Sequence, residues 1–218
     1  MKEPDVTSST HFIGFNPADL PPADVYRLLV NSVAPRPIAF VSSLSAEGQP
    51  NLAPFSYFMA GGANPPSVAF SPTNTRDNSP KDTLRNVRAT GEFVVNVVSY
   101  SIREKMNQTS AEYPYGVSEW EPAGFTPVAS VVVKPARVLE SVISMECRVF
   151  DIVTHGPGPL SANYVIGEVV YFHVADSVLN DNQIDPTKVD YIGRMGGDWY
   201  ARAHDDSLFE LPRPQKPE

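Results

Sequence analysis

Residues 71 to 86, SPTNTRDNSPKDTLRN, gather three cations, Arg76, Lys81 and Arg85, among the hydroxyls of Thr75, Ser79 and Thr83. That set suits an anion at a helix start, where the first N–H groups lack intrahelical partners and the dipole is positive. The sequence predicts such a start. Ser79 reads as the N-cap, Pro80 as a first helical residue whose missing N–H does no harm, and Asp82 as the return partner of a capping box. The helix runs from Lys81 to Ala89 and closes at Thr90-Gly91. A phosphate fits this pattern. A solvated helix end with scattered charges fits the same residues, and Asp77 and Asp82 favour that second reading.

A second group lies in RPIAFVSSLSAEGQPNLAPFSYFMA, residues 36 to 60. Its first half is a strand ending in Ser42-Ser43. The returning strand carries Asn51, Pro54 and Ser56 at close spacing. Pro54 removes one N–H from any ladder, leaving neighbouring carbonyl and N–H groups open to a planar polar ligand. A polar barrel rim explains these residues equally well when they are taken alone. A polar slot and a phosphate-type helix start together in one small β domain favour a ligand with both a planar ring and a phosphate.

The elements that must position these groups are mostly strands. A short helix over Ala23 to Val30 leads into a strand from Pro37 to Ser43. Ala46 to Gln49 makes its turn, with Gly48 free to take positive φ. Leu52 to Met59 pairs back, and Ser67 to Ser71 follows. Glu92 to Val98 is almost continuously apolar, the pattern of a strand buried on both faces. Ser101 and Glu104 suggest a capping box for a helix from Ile102 to about Gln108. Three longer strands are expected over Val128 to Leu139, Val142 to His155 and Tyr164 to Ala175. In the last of these Ile166, Glu168, Val170, Phe172 and Val174 share a face. From Asp176 onward the chain reads as polar and loop-rich. Many strands and few helices indicate an antiparallel barrel or sandwich.

Composition narrows the function. The 218 residues suit one domain, with 42% hydrophobic and 19% charged residues. The 22 prolines exceed the average share of about 5% and point to many loops and edges. Seventeen basic against 25 acidic residues give a net charge of −8, which argues against nucleic-acid binding. The single cysteine, Cys147, rules out an intrachain disulfide framework and a multi-cysteine metal site. The polar start lacks a signal peptide's apolar segment, and no apolar run reaches the roughly 20 residues of a membrane span. A soluble cytoplasmic protein without membrane or nucleic-acid partners is the expectation.

The other chemically suggestive residues read as structural. His11, His155, His173 and His204 show no metal-ligand spacing, so no metal site is expected. Cys147 reads as a small buried hydrophobe beside Glu146. Glu168 reads as a partnered barrel carboxylate. Tyr113, Tyr115 and Trp120 read as loop packing, with a substrate pocket as the alternative. No nucleophile or acid/base pair stands out, so no catalytic side chain is assigned. Gly61-Gly62 and Gly196-Gly197 do not fit the spacing of a dinucleotide fingerprint.

The stretches RPIAFVSSLSAEGQPNLAPFSYF, NPPSVAFSP and KDTLRNVRATGEFVVNVVS, with ANYVIGEVVYFHV and YIGRMGGDWYAR further on, resemble the flavin reductase-like family with the FMN-binding split-barrel fold, within it the DIM6/NTAB group. The resemblance covers about residues 25–202. It leaves 1–24 as an N-terminal extension and 203–218 as a Pro-rich tail. It implies a mainly β fold, a six-stranded antiparallel Greek-key split barrel with a few short helices, assembled as a homodimer with FMN near the interface. By the resemblance, Ser42 and Ser43 sit beside the flavin. Asn51, the backbone of Ala53, Pro54 and Phe55, and Ser56 meet the polar edge of its ring. Arg76, Lys81, Asp82 through its backbone, and Thr83 hold the phosphate or ribityl end, and Arg194 and Tyr200 close over the site. The implied activity is hydride transfer from NADH or NADPH to flavin, with a monooxygenase as a conceivable partner. A non-enzymatic FMN-binding electron carrier fed by a partner is the alternative. A barrel that has lost flavin is a third, against which the KDT and NLAPFS segments speak.

Overall fold

The computed structural model describes residues 11–114 and 116–214. The start of the N-terminal extension, Tyr115 of the aromatic loop and the end of the Pro-rich tail, on which sequence readings also fell, lie outside the described residues. Helix α1 (Pro22–Ser32) leads into a hairpin of β1 (Ala39–Leu44) and β2 (Pro50–Phe55). Gly48 takes φ 85° at its turn, where the Ser45 hydroxyl accepts from the N–H groups of Glu47 and Gln49. Strands β3 (Phe58–Ala63) and β4 (Pro66–Phe70) follow. Helix α2 (Asp82–Thr90) ends on Gly91 in the left-handed conformation, which glycine adopts without a Cβ penalty. Next come β5 (Glu92–Val97), α3 (Arg103–Gln108) and α4 (Trp120–Ala123). Two long strands, Ile143–His155 and Ala162–Val174, form the final large hairpin. Among the described residues no helix is long and apolar enough to cross a membrane.

These strands make one antiparallel sheet of seven, where the resemblance implies six. Its order is β2, β1, β5, the two long strands, β4, β3. Strands β2 and β3 are consecutive in the chain yet occupy opposite edges. Phe55 and Phe58 are three residues apart, so the two edges lie within about 11 Å of each other at that point. The sheet is therefore rolled, with Ser56 and Tyr57 at the seam. The long strands bend through register shifts at Glu146/Cys147 and Val149/Asp151, the effect of β-bulges.

Apolar residues pack on both faces of β1. Ala39 and Val41 face a core of Phe55, Phe70, Leu84, Val87, Phe93 and Val165. Phe40 faces the other way, onto Leu52, Met106, Trp120, Phe125 and Val138. Strand β5 is buried from Phe93 to Asn96, as its apolar run predicts. Gly167 lies under Phe93, and a Cβ there would collide with the ring.

Several expectations are corrected. The strand expected over Val128 to Leu139 forms only the short pairing of Pro127–Val128 with Arg137–Val138. Between them the N–H groups of Val131, Val132 and Val133 donate to the Glu146 carboxylate at 2.7, 2.6 and 3.0 Å. Glu146 is fully buried, and a buried carboxylate requires donors; this segment supplies them in place of a ladder. His173 Nε2 lies 2.6 Å from the same carboxylate. Burial pushes the Glu146 pKa up, but His173 and the three N–H groups outweigh it and hold it below the usual value. The strand expected over Leu52 to Met59 splits at Ser56-Tyr57, where the sheet rolls. In the last long strand the expected alternation holds up to the register shift, with Ile166, Glu168 and Val170 on the face opposite the buried Asn163, Val165, Gly167 and Val169, and Phe172 beyond the shift is exposed. The Ser101/Glu104 capping box does not form: α3 has no side-chain cap, and Glu104 pairs with Arg103 at 2.8 Å. The C-terminal region also holds a hairpin, Tyr191–Arg194 with Tyr200–Ala203, where loop was expected.

Candidate functional site

The polar residues of the first hairpin divide between the interior and a cleft. Ser42 and Ser43 are each 1% exposed. The Ser42 hydroxyl donates to the Ala136 carbonyl, and Ser43 accepts from Asn86 Nδ2 at 3.1 Å. Asn51 is also buried. With its amide turned to satisfy both ends, Nδ2 donates to Glu119 Oε1 at 3.2 Å and Oδ1 accepts from Thr83 Oγ1 at 2.9 Å. Glu119 Oε2 accepts from the Leu52 N–H at 2.8 Å, so this carboxylate fastens the outer edge of β2. Burial raises the Glu119 pKa, the Leu52 N–H opposes that, and Asp82 adds to it.

The helix start differs from the sequence expectation. Helix α2 begins at Asp82, with Lys81 in the N-cap position and no side-chain cap. Ser79 instead closes the preceding loop: its N–H donates to Thr75 Oγ1 at 2.9 Å and its hydroxyl to Asp77 at 3.2 Å. Pro80 therefore lies before the helix. Asp82 pairs with Arg85 at 3.1 Å rather than reaching back to Ser79. Thr83 is 1% exposed, and its hydroxyl joins α2 to Asn51. Arg76 is exposed and forms no ion pair among the described residues. Its loop is tied down by Asn163, which donates to Pro72 O at 3.1 Å and Asn74 Oδ1 at 3.0 Å. Lys81 Nζ lies 5.7 Å from the centre of the Phe55 ring. Crowding by the protein lowers the Lys81 pKa, and Glu112 opposes that shift.

A cleft of about 160 Å³ opens at the seam of the rolled sheet. Pro54 and Ser56 of the β2 end line one side, and Arg194 and Tyr200 of the C-terminal hairpin another. Met106, Asn107 and Ser110 from the end of α3, with Ile38, complete it. The Arg194 guanidinium lies 4.5 Å from the Tyr200 ring centre and donates to Gly197 O at 2.5 Å. A second cleft of about 250 Å³ is lined by Asn51, Asp82, Asn86 and Glu47, and its carboxylates disfavour an anion. The structure thus brings Pro54, Ser56, Arg194 and Tyr200 together, sets Phe55 and Lys81 beside each other, and leaves Ser42, Ser43 and Thr83 inside the protein. Ala53 pairs with Val41 on β2, whose other edge pairs with no strand among the described residues.

Arg36 is a residue that sequence reading missed. It is 4% exposed. Its guanidinium donates to the carbonyls of Val30, Val33 and Met195, the last two at 2.7 and 2.9 Å, and to Ser56 Oγ at 3.3 Å. It ties α1, the seam and the C-terminal hairpin together around the cleft. Its place before Pro37 gave no signal, because its partners come from three separate segments. The α3 wall was missed for the same reason. Cys147 is buried, and burial pushes its thiol pKa up, as suits a core residue. Among the described residues no His, Cys, Asp or Glu cluster is placed to hold a metal.

A rolled antiparallel sheet of seven strands with a few short helices and a polar cleft at its seam defines a mainly β protein. Residues 31–191 match the flavin reductase like domain, and the chain belongs to that family. It is 41% identical to an uncharacterized protein of Aquifex aeolicus over 86% of this chain and 94% of the relative. The crystal structure of nitrilotriacetate monooxygenase component B from Bacillus cereus superposes with a TM-score of 0.88 at 36% identity, covering 93% of this chain and all of that one. The Pseudomonas fluorescens 2-nitrobenzoate 2-nitroreductase NbaA gives a TM-score of 0.82 at 29% identity, covering 93% and 99%.

Proposed function

We propose that this protein is an FMN-binding oxidoreductase of the NAD(P)H-dependent flavin reductase type. The observation that carries this reading is the meeting of Pro54 and Ser56 with Arg194 and Tyr200 in one cleft, with Lys81 set over Phe55, the residue between Pro54 and Ser56 in the chain. FMN held there would supply the hydride chemistry, accepting a hydride from NADH or NADPH while the protein positions it.

The chain's own residues fit that cofactor. Strand β2 is an edge strand whose Leu52 N–H faces outward, so by strand alternation Ala53 and Phe55 pair with β1 while the Pro54 carbonyl faces the open edge for the polar side of a planar ring, with no competing N–H. The Ser56 oxygen is engaged by Arg36 Nε, which leaves its hydrogen to donate. Lys81 and Arg76 supply positive charge for the phosphate, and the main-chain N–H groups at Asp82 and Thr83 lie at the start of α2. Asn51, Ser42, Ser43 and the Thr83 side chain support the strand and helix from behind. Arg194 and Tyr200 cover the cleft.

A volume of about 160 Å³ is smaller than the roughly 300 Å³ at the lower end for ligand pockets. A second copy of the chain completing the site accords with that, and two-fold pairing is the commonest closed assembly. The likeness to a protein named as component B of a monooxygenase supports a monooxygenase partner for the reduced flavin. The same reading puts the protein in the cytoplasm.

The test is a titration with FMN followed by fluorescence, then NADH and NADPH oxidation with and without added FMN. Binding of one FMN per chain and FMN-dependent oxidation of either nucleotide are expected. No fluorescence change at micromolar FMN would overturn the reading. Binding without oxidation would favour the electron carrier.

A further inference from the structure

We propose that Asn107 is a specificity-determining residue of the seam cleft, selecting a planar primary amide and so reading the carboxamide of the nicotinamide donor; this rests on the flavin reading above. Asn107 stands on the last turn of α3, is exposed, and lines the cleft together with Pro54 and Ser56.

Three of the other polar side chains of the cleft also hold the fold, whereas the Tyr200 hydroxyl has no hydrogen-bond partner among the described residues. Ser56 Oγ accepts from Arg36. The Ser110 hydroxyl donates to the Asn107 carbonyl at 2.6 Å. Arg194 donates to Gly197 and stacks on Tyr200. The Asn107 carboxamide has no hydrogen-bond partner among the described residues, while its backbone is fixed by α3 and by Ser110.

A carboxamide presents a donor and an acceptor side by side in one plane. The group that satisfies both at once is another planar amide, paired reciprocally. A carboxylate offers acceptors only, so it would leave the Asn107 oxygen facing a lone pair. Sites that hydrogen-bond a substrate polar group discriminate strongly against analogues that cannot return the bond. Ile38 and Met106 line the apolar floor of the cleft and are themselves buried.

The test uses the full chain loaded with FMN and two probes, NADH and its counterpart with nicotinic acid in place of nicotinamide. The FMN dissociation constant is measured first by fluorescence. Steady-state KM and kcat follow, together with calorimetric binding of the two oxidised dinucleotides. Wild type is expected to bind the amide form more tightly than the acid form. In Asn107→Ala the KM for NADH should rise about tenfold, as for loss of a paired neutral hydrogen bond, far more than kcat falls. Preference for amide over acid should vanish, and FMN affinity should hold. Asn107→Gln should restore part of the preference. An unchanged amide preference in Asn107→Ala, or a fall in FMN affinity matching the rise in KM, would overturn the assignment. A wild type that binds no FMN, or that neither binds nor oxidises the dinucleotide, would remove the flavin reading and this proposal with it.

Discussion

Lys81 holds its ammonium 5.7 Å from the centre of the Phe55 ring, joining the N-cap of α2 to the last residue of β2. The cation thus stands between the end of the edge strand and the first free N–H groups of the helix. Lys81 thereby sets a positive charge over the ring that follows Pro54 in the strand.

Lys81→Ala should therefore weaken FMN much more than riboflavin, which shares the ring and ribityl chain but lacks the phosphate. A hydrogen bond to a charged group is worth about 1.5–3 kcal/mol, so a loss of roughly tenfold to a hundredfold for FMN is expected. The loss should shrink as salt rises. Paired titrations at fixed salt decide it. Equal losses for both ligands would make Lys81 a structural residue.

Arg36→Ala should destabilise the protein by roughly 2–4 kcal/mol, since it strands buried carbonyls at Val30, Val33 and Met195. Urea unfolding measures this as a lower midpoint with little change in slope. Flavin affinity should fall as well, because Arg36 holds Ser56 and the C-terminal hairpin against each other.

Glu146 makes acid stability depend on pH. Its folded pKa lies below the ordinary value, so its contribution is fully present above the unfolded carboxyl pKa of about 4.3 and is lost as pH falls through the lower folded value. Glu146→Gln puts an amide N–H₂ among three N–H donors and should cost about 2–4 kcal/mol at neutral pH. The gap from wild type should narrow below about pH 4. Urea unfolding between pH 3 and pH 7 tests this, and a gap independent of pH would contradict it.

Gly167→Ala should destabilise by about 1–3 kcal/mol through overpacking against Phe93. Combining it with Phe93→Leu should recover part of the loss, since the ring that meets the new methyl is gone. Thermal unfolding of the single and double variants reads the coupling.

The sequence by itself determined the mainly β class, the β1–β2 turn at Gly48, the doubly buried β5 and the Gly91 stop of α2, because each rests on local periodicity or backbone freedom. Its motif stretches also carried the family. Only the tertiary structure decided which polar residues line the cleft and which are buried. Ser42, Ser43 and Thr83 look alike in sequence to Ser56, yet burial turns them into ties within the fold. The strand expected through Val131 to Val133 gave way because a carboxylate more than ten residues further on, at Glu146, needs their N–H groups more than a ladder does. The cleft itself joins the ends of β2, α3 and the C-terminal hairpin, and Arg36 ties α1, the β2 end and that hairpin around it. Such a meeting of segments far apart in the chain leaves no trace in the local pattern of any one of them.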